Sequence, residues 1–174
     1  MNLWHDITPG TEDEMHVIIE VPRHSRNKYE IDKETGLIAL DRVLHTAQTF
    51  PLDYGFVPQT LWDDGDALDV LVLTTEALHP GVLVRARPVA IMDMIDSGDP
   101  DGKVIAVPSM DPRWKDVQDL KDINPHLLKE LQHFYSTYKQ LQNKVVEVTG
   151  FKGKADAVAA FRRAGELYKT RPRD

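Results

Sequence analysis

The 174-residue chain is 41% hydrophobic and 28% charged, which is the balance of a folded globular protein, and its length suits one domain with a real core. Its formal net charge is −7 and it contains no cysteine, which excludes disulfides, thiolate nucleophiles and Cys-zinc sites and argues against general binding to nucleic acid or an anionic membrane. No apolar run reaches membrane-spanning length, residues 1–11 hold no leader-like apolar core, and a cysteine-free chain of this kind fits the cytoplasm.

Residues 16–21 read as a strand whose apolar run is interrupted by Glu20 ahead of Pro22. Residues 28–40 read as a hairpin. Lys28, Glu30 and Asp32 alternate with Tyr29 and Ile31, so the three charges share one face. Glu34-Thr35-Gly36 supplies the turn, and residues 37–43 return carrying Arg42. Residues 51–59, with Tyr54-Gly55-Phe56 in the middle, read as irregular. Then comes WDDGDALDVLVL at 62–73. Asp63, Asp64, Asp66 and Asp69 crowd a tight turn at Gly65, and Val70-Leu71-Val72-Leu73 behind it reads as a short buried strand. A long strand is expected over 82–94. A second acidic loop follows over 93–102, with Asp93, Asp96, Asp99 and Asp101, and then a strand over 103–107.

Helices come late. Asn124-Pro125 is an N-cap and first-turn pair. Leu127, Leu128, Leu131, Phe134, Tyr138 and Leu141 follow at helical spacing, predicting a helix to about residue 142. A strand is expected over 144–148. A second, alanine-rich helix is expected over 155–168, with Val158, Phe161 and Leu167 on its buried side. The charged tail from Thr170 is expected to fray. Strands first and helices last predict a mainly β member of the α+β class: an antiparallel sheet or barrel with C-terminal helices packed outside, residues 1–174 forming one domain.

Carboxylates crowded at the mouth of a core strand repel one another unless a cation joins them, and hard divalent cations prefer such oxygen ligands. The stretch therefore reads either as a Mg²⁺ or Ca²⁺ site or as an ordinary acidic surface turn. An EF-hand fails on spacing: counted from Asp64, the sixth position is Asp69 where glycine is required, and the twelfth is Thr75 where glutamate is required. Glu20, Glu30, Lys28 and Arg42 sit within the expected strands, and Lys103 follows the second acidic loop. Mixed acids and bases in one cleft fit a substrate that is itself anionic, with phosphate the natural candidate. There is no Walker loop and no GxGxxG, so nothing requires a nucleotide.

Several segments, in order, resemble the bacterial soluble inorganic pyrophosphatases of the first family. They are Ile19-Glu20-Val21-Pro22 with Lys28-Tyr29-Glu30-Ile31-Asp32, Asp53-Tyr54-Gly55-Phe56, Asp64-Gly65-Asp66-Ala67-Leu68-Asp69 in place of DGDPxD, the Asp96–Asp101–Lys103 loop, and Tyr138-Lys139. The resemblance implies a five-stranded OB-like antiparallel barrel with flanking helices. It also implies hydrolysis of pyrophosphate to two orthophosphates with several Mg²⁺ ions per site. Asp64, Asp69 and Asp101 are then expected to bind activating ions, Asp96 and Glu30 to hold ions arriving with substrate, and Glu20 to act through a water on the metal. Asp66 would stand beside the attacking water. Lys28, Arg42, Tyr54, Lys103, Tyr138 and Lys139 would hold phosphate oxygens. A homohexamer is implied too, with His133 on the helix where subunits meet.

Two positions depart from the family pattern. Ala67 replaces the signature proline, and Phe50 stands where many relatives place a tyrosine. Fold alone would also admit an oligonucleotide binder, but that reading wants basic residues with exposed aromatics on a face that is acid-rich here. A different phosphohydrolase on the same fold remains an alternative.

Overall fold

A computed structural model describes residues 1–171. In chain order its elements are β1 (Met15–Val21), β2 (Asn27–Ile31), β3 (Ile38–Val43), β4 (Asp53–Phe56), β5 (Asp69–Val72), β6 (Leu83–Asp96), β7 (Asp99–Pro100), β8 (Lys103–Pro108), α1 (Pro125–Thr137), β9 (Val146–Gly153) and α2 (Lys154–Thr170). Strands β1, β4, β5, β8 and β6 are hydrogen-bonded in that order, and β6 pairs back onto β1. Five strands thus close into the expected OB-like ring, which leaves none of them an open edge. The ring is antiparallel except at one seam, where β5 and β8 run parallel with Asp69 opposite Lys103.

Strand β6 can serve several neighbours because it is 14 residues long. Its start pairs with β1, its middle with β8, and its second half with β9. The register slips at Pro88/Ala90 and again at Asp93/Met94, which bends the strand from one sheet region into the next. The unbroken apolar run of β5 reflects burial on both faces. Leu71 joins a core cluster with Phe134 and Tyr135 of α1, whereas Val70 and Val72 join another with Ala157, Ala160 and Ala164 of α2. Burying each such aliphatic side chain contributes roughly 1.5–3 kcal/mol. The β2–β3 hairpin forms its own two-stranded sheet and lies against β1.

Tertiary pairing revises several local expectations. Residues 53–56 are a strand, not irregular chain: β4 is sandwiched between β1 and β5. Gly55 makes this possible, since a β-carbon there would stand 2.1 Å from the Ile18 carbonyl oxygen. The acidic loop shrinks to a turn, because β6 runs on to Asp96 and is met at once by β7. Helix α1 stops at Thr137; a separate 3-10 turn spans Gln140–Gln142, and Asn143 takes a left-handed conformation that ends it. Leu141 is consequently exposed rather than part of the apolar face. The strand expected over 144–148 runs on to Gly153 because β6 keeps pairing with it. On α2 the sheet-facing side chains are Ala157, Ala160 and Ala164, with Val158, Phe161 and Leu167 only half-buried beside them. Small side chains let the helix axis approach the sheet closely. Of the tail expected to fray, Thr170 still closes α2, and residues 172–174 lie outside the described residues.

Candidate active site

One cleft of about 400 Å³ opens where the hairpin, the 63–66 turn, the 96–101 turn and the end of α1 converge. Asp64, Asp66, Asp69, Asp96 and Asp101 line it together with Lys28, Glu30, Arg42, Tyr54, Lys103, Tyr138 and Lys139. Glu20 does not reach this space. It lines an adjoining cavity of about 410 Å³, which shares Lys28, Glu30, Tyr54, Asp66 and Asp69 with the first. All thirteen positions expected from the sequence therefore fall in two contiguous cavities.

The fold assembles these residues from simple local rules. Asp69 and Lys103 are the first residues of two parallel neighbours, so their side chains leave the ring side by side. Lys103 Nζ lies 2.7 Å from Asp69 Oδ2 and 2.9 Å from Asp101 Oδ1 while only 2% exposed. In the turn, the Asp66 N–H donates to Asp64 Oδ1 at 3.0 Å, and Gly65 adopts φ +85°, the left-handed geometry glycine accepts without strain. The hairpin brings Lys28 opposite Arg42, with a slip in the ladder at Lys28/Tyr29. Asp41 bridges the two cations, accepting from Lys28 Nζ at 3.3 Å and Arg42 Nη1 at 3.0 Å. Glu20 clamps the hairpin to the ring by accepting the Ile31 N–H at 2.8 Å.

Most of the site carboxylates rest on a lysine. Asp69 and Asp101 share Lys103, Asp66 meets Lys33, Glu30 meets Lys28, and Asp96 meets Lys139. Burial lowers the pKa of Lys103, and the Asp101 and Asp69 carboxylates more than reverse this, holding the amine charged well above its usual range. Asp64 and Glu20 have no such partner. Burial, reinforced by Asp69 and Asp101, pushes the Asp64 carboxyl up to about 6. Glu20, 5% exposed, is pushed up to about 8, chiefly by burial. The cluster is short of positive charge.

Among the described residues no three acidic or histidine side chains already converge as a coordination cage, because the carboxylates are spread over the lysine amines. The donor set still fits a hard divalent cation. It is all oxygen, and the Lys103 ammonium held between Asp69 and Asp101 shows that a cation suits that position.

Three contributors escaped sequence reasoning. Asp41 orients two cations but sits in an unremarkable stretch of strand. Lys33 reaches Asp66 only because the hairpin folds over the turn. Tyr135 lies beneath Lys103, and its spacing with Leu131, Phe134 and Tyr138 would have marked it as inward-facing. Phe50 is fully buried, its ring tilted against those of Tyr54 and Phe134, and does not line the cleft. Ala67 packs with Trp4, Ile18 and Phe56.

Residues 17–169 match the sequence profile of the family described as "Inorganic pyrophosphatase". The chain is 44% identical over 171 residues to an inorganic pyrophosphatase of Picrophilus torridus, covering 97% of each chain. It is 46% identical over 167 residues to a soluble inorganic pyrophosphatase of Oryza sativa subsp. indica, covering 95% of this chain and 78% of that one. The structure superposes on the crystal structure of inorganic pyrophosphatase from Thermus thermophilus with a TM-score of 0.93 and 44% identity, over 97% of this chain and 99% of the other.

Proposed function

The chain belongs to the inorganic pyrophosphatase family, and from that premise we infer how its own residues hydrolyse inorganic pyrophosphate to two orthophosphates. The observation that carries this reading is that one cleft is lined by seven aspartates and by the Lys28, Arg42, Lys103 and Lys139 cations. A polyanion with bound cations needs both. The family requires a divalent cation; we take it to be Mg²⁺, several ions per site.

Asp64, Asp69 and Asp101 would hold ions that stay with the enzyme, and Asp96, Glu30 and Glu20 would attend those that come with substrate. Bound cations would neutralise pyrophosphate and make water more acidic. The protein's own groups do the rest. Lys28 and Arg42, held by Asp41, grip one phosphoryl group and stabilise charge on the leaving phosphate. Tyr54, Tyr138, Lys103 and Lys139 hold the remaining oxygens. Asp66 stands at the open end of the turn, where it takes or orients the proton of the attacking water. Burial keeps the Tyr54 and Tyr138 phenols well above their usual pKa, so they donate hydrogen bonds rather than add negative charge.

We read residues 1–174 as one domain acting in the cytoplasm. A homohexamer is the proposed assembly, supported by the family likeness and by the exposed position of His133 on α1. Among the described residues no helix is long and apolar enough to cross a membrane. The test is phosphate release from pyrophosphate with Mg²⁺ and with Ca²⁺. Turnover with Mg²⁺ and little with Ca²⁺, whose coordination is longer and looser, is the expected result. No release with Mg²⁺, or equal release with Ca²⁺ alone, would sink the reading.

A further inference from the structure

Behind the cleft lies a side chain that the hydrolytic scheme leaves unused. Tyr135 of α1 is 1% exposed. Among the described residues its hydroxyl has no hydrogen-bond partner. An unpartnered buried hydroxyl is costly, and native structures keep few of them.

The ring that carries this hydroxyl faces Lys103. The lysine amine lies 5.8 Å from the centroid of the Tyr135 ring and 5.2 Å from that of Tyr54, so two aromatic rings bracket it. The ammonium has three donors. Asp69 and Asp101 take two, while the Tyr54 hydroxyl, at 3.5 Å, is at the edge of hydrogen-bond reach.

Asp69 and Asp101 are also the carboxylates assigned to a cation, and the inference rests on that reading. A cation engaging them competes with the Lys103 ammonium for both of its short contacts, while the amine remains buried. A buried ammonium without acceptors is strongly disfavoured. The Tyr135 oxygen has both lone pairs free, and the lysine stem is flexible enough to swing its amine by a few ångström.

We propose that Tyr135 is a positioning residue for Lys103: its hydroxyl accepts a hydrogen bond from the lysine amine when a cation draws Asp69 and Asp101 away, and so keeps that buried amine partnered and in place. The unpartnered hydroxyl is then an acceptor held in reserve for the loaded state.

Tyr135→Phe keeps the ring and removes only the oxygen. Mg²⁺ binding is measured by calorimetry without substrate, on the full chain, and the expected result is affinity weaker by about tenfold, the scale of one hydrogen bond to a charged group. With chelator present, the variant should melt no lower than wild type, because the hydroxyl has no partner in that state. In a Lys103→Met background the substitution should leave Mg²⁺ affinity unchanged. Unchanged affinity in the single variant overturns the proposal. So does a lower melting temperature with chelator, which marks a merely structural hydroxyl, or an equal loss of affinity in the Lys103→Met background. A wild-type protein that binds no Mg²⁺ overturns the cation reading itself, a failure distinct from the others.

Discussion

Lys33 Nζ stands 2.5 Å from Asp66 Oδ1, latching the tip of the β2–β3 hairpin to the acidic turn. Both side chains are 58% exposed, so solvent screens the pair and it contributes about 0–1 kcal/mol. A latch this weak opens readily, which leaves Asp66 available for chemistry. Lys33→Gln should cost less than about 1 kcal/mol of stability and leave turnover within a few-fold. Urea denaturation and steady-state kinetics check this. A large loss of turnover in the folded variant would mean that Lys33 itself touches substrate.

Asp66 and Asp69 should fail differently. Asp69→Asn removes a charged oxygen from the proposed cation site and one of the two carboxylates holding Lys103. Mg²⁺ affinity should fall, and excess Mg²⁺ should recover only part of the activity. Asp66→Asn keeps the shape and removes the proposed base. Turnover at saturating Mg²⁺ should drop by roughly 10²–10⁴-fold without rescue by more metal, while raising the pH should restore some of it. Turnover against Mg²⁺ concentration at two pH values separates the roles. Rescue of Asp66→Asn but not of Asp69→Asn would reverse the assignment.

Glu20 makes the metal-free protein sensitive to pH. Its carboxyl is raised from 4.5 to about 8 in the fold, so between those values the folded state keeps a proton that the unfolded chain has lost. The stability linked to Glu20 is therefore complete below about 4.5 and lost as pH rises through about 8. Glu20→Gln keeps an acceptor for the Ile31 N–H and removes the titration. With chelator present, wild type and variant should have similar stability at the acid end, and the variant should be the more stable near pH 8. Urea melts across that range check it. A wild type that gains stability relative to the variant as pH rises would show the carboxyl to be ionised throughout.

Gly55→Ala tests the ring closure. The new methyl group would meet the Ile18 carbonyl oxygen at 2.1 Å and the Ile19 α-carbon at 3.0 Å. Both are backbone, so β1 and β4 would have to part. A loss of at least about 2 kcal/mol is expected by denaturant unfolding. A variant as stable as wild type would mean that β1 and β4 pack with more room than described.

What the amino-acid sequence determined by itself was the local chemistry and the burial period. The Gly65 turn, the doubly buried β5 run, the Asn124-Pro125 cap and the order of strands before helices follow from backbone geometry and side-chain polarity over a few residues, and all are present in the fold. The thirteen positions expected from the motifs line the cleft and its adjoining cavity. Other features depended on pairing between distant segments. Residues 53–56 became a strand only because β1 and β5 flank them. Alanines, not larger residues, faced the sheet from α2 because the helix lies close to it. The bracketing of Lys103 by Asp69 and Asp101 needed the parallel β5–β8 seam, which aligns residues 34 positions apart. No local propensity encodes that juxtaposition. It arises when the ring closes, since only then does burying both faces of β5 and β8 bring the two strand starts, and their opposite charges, to one place.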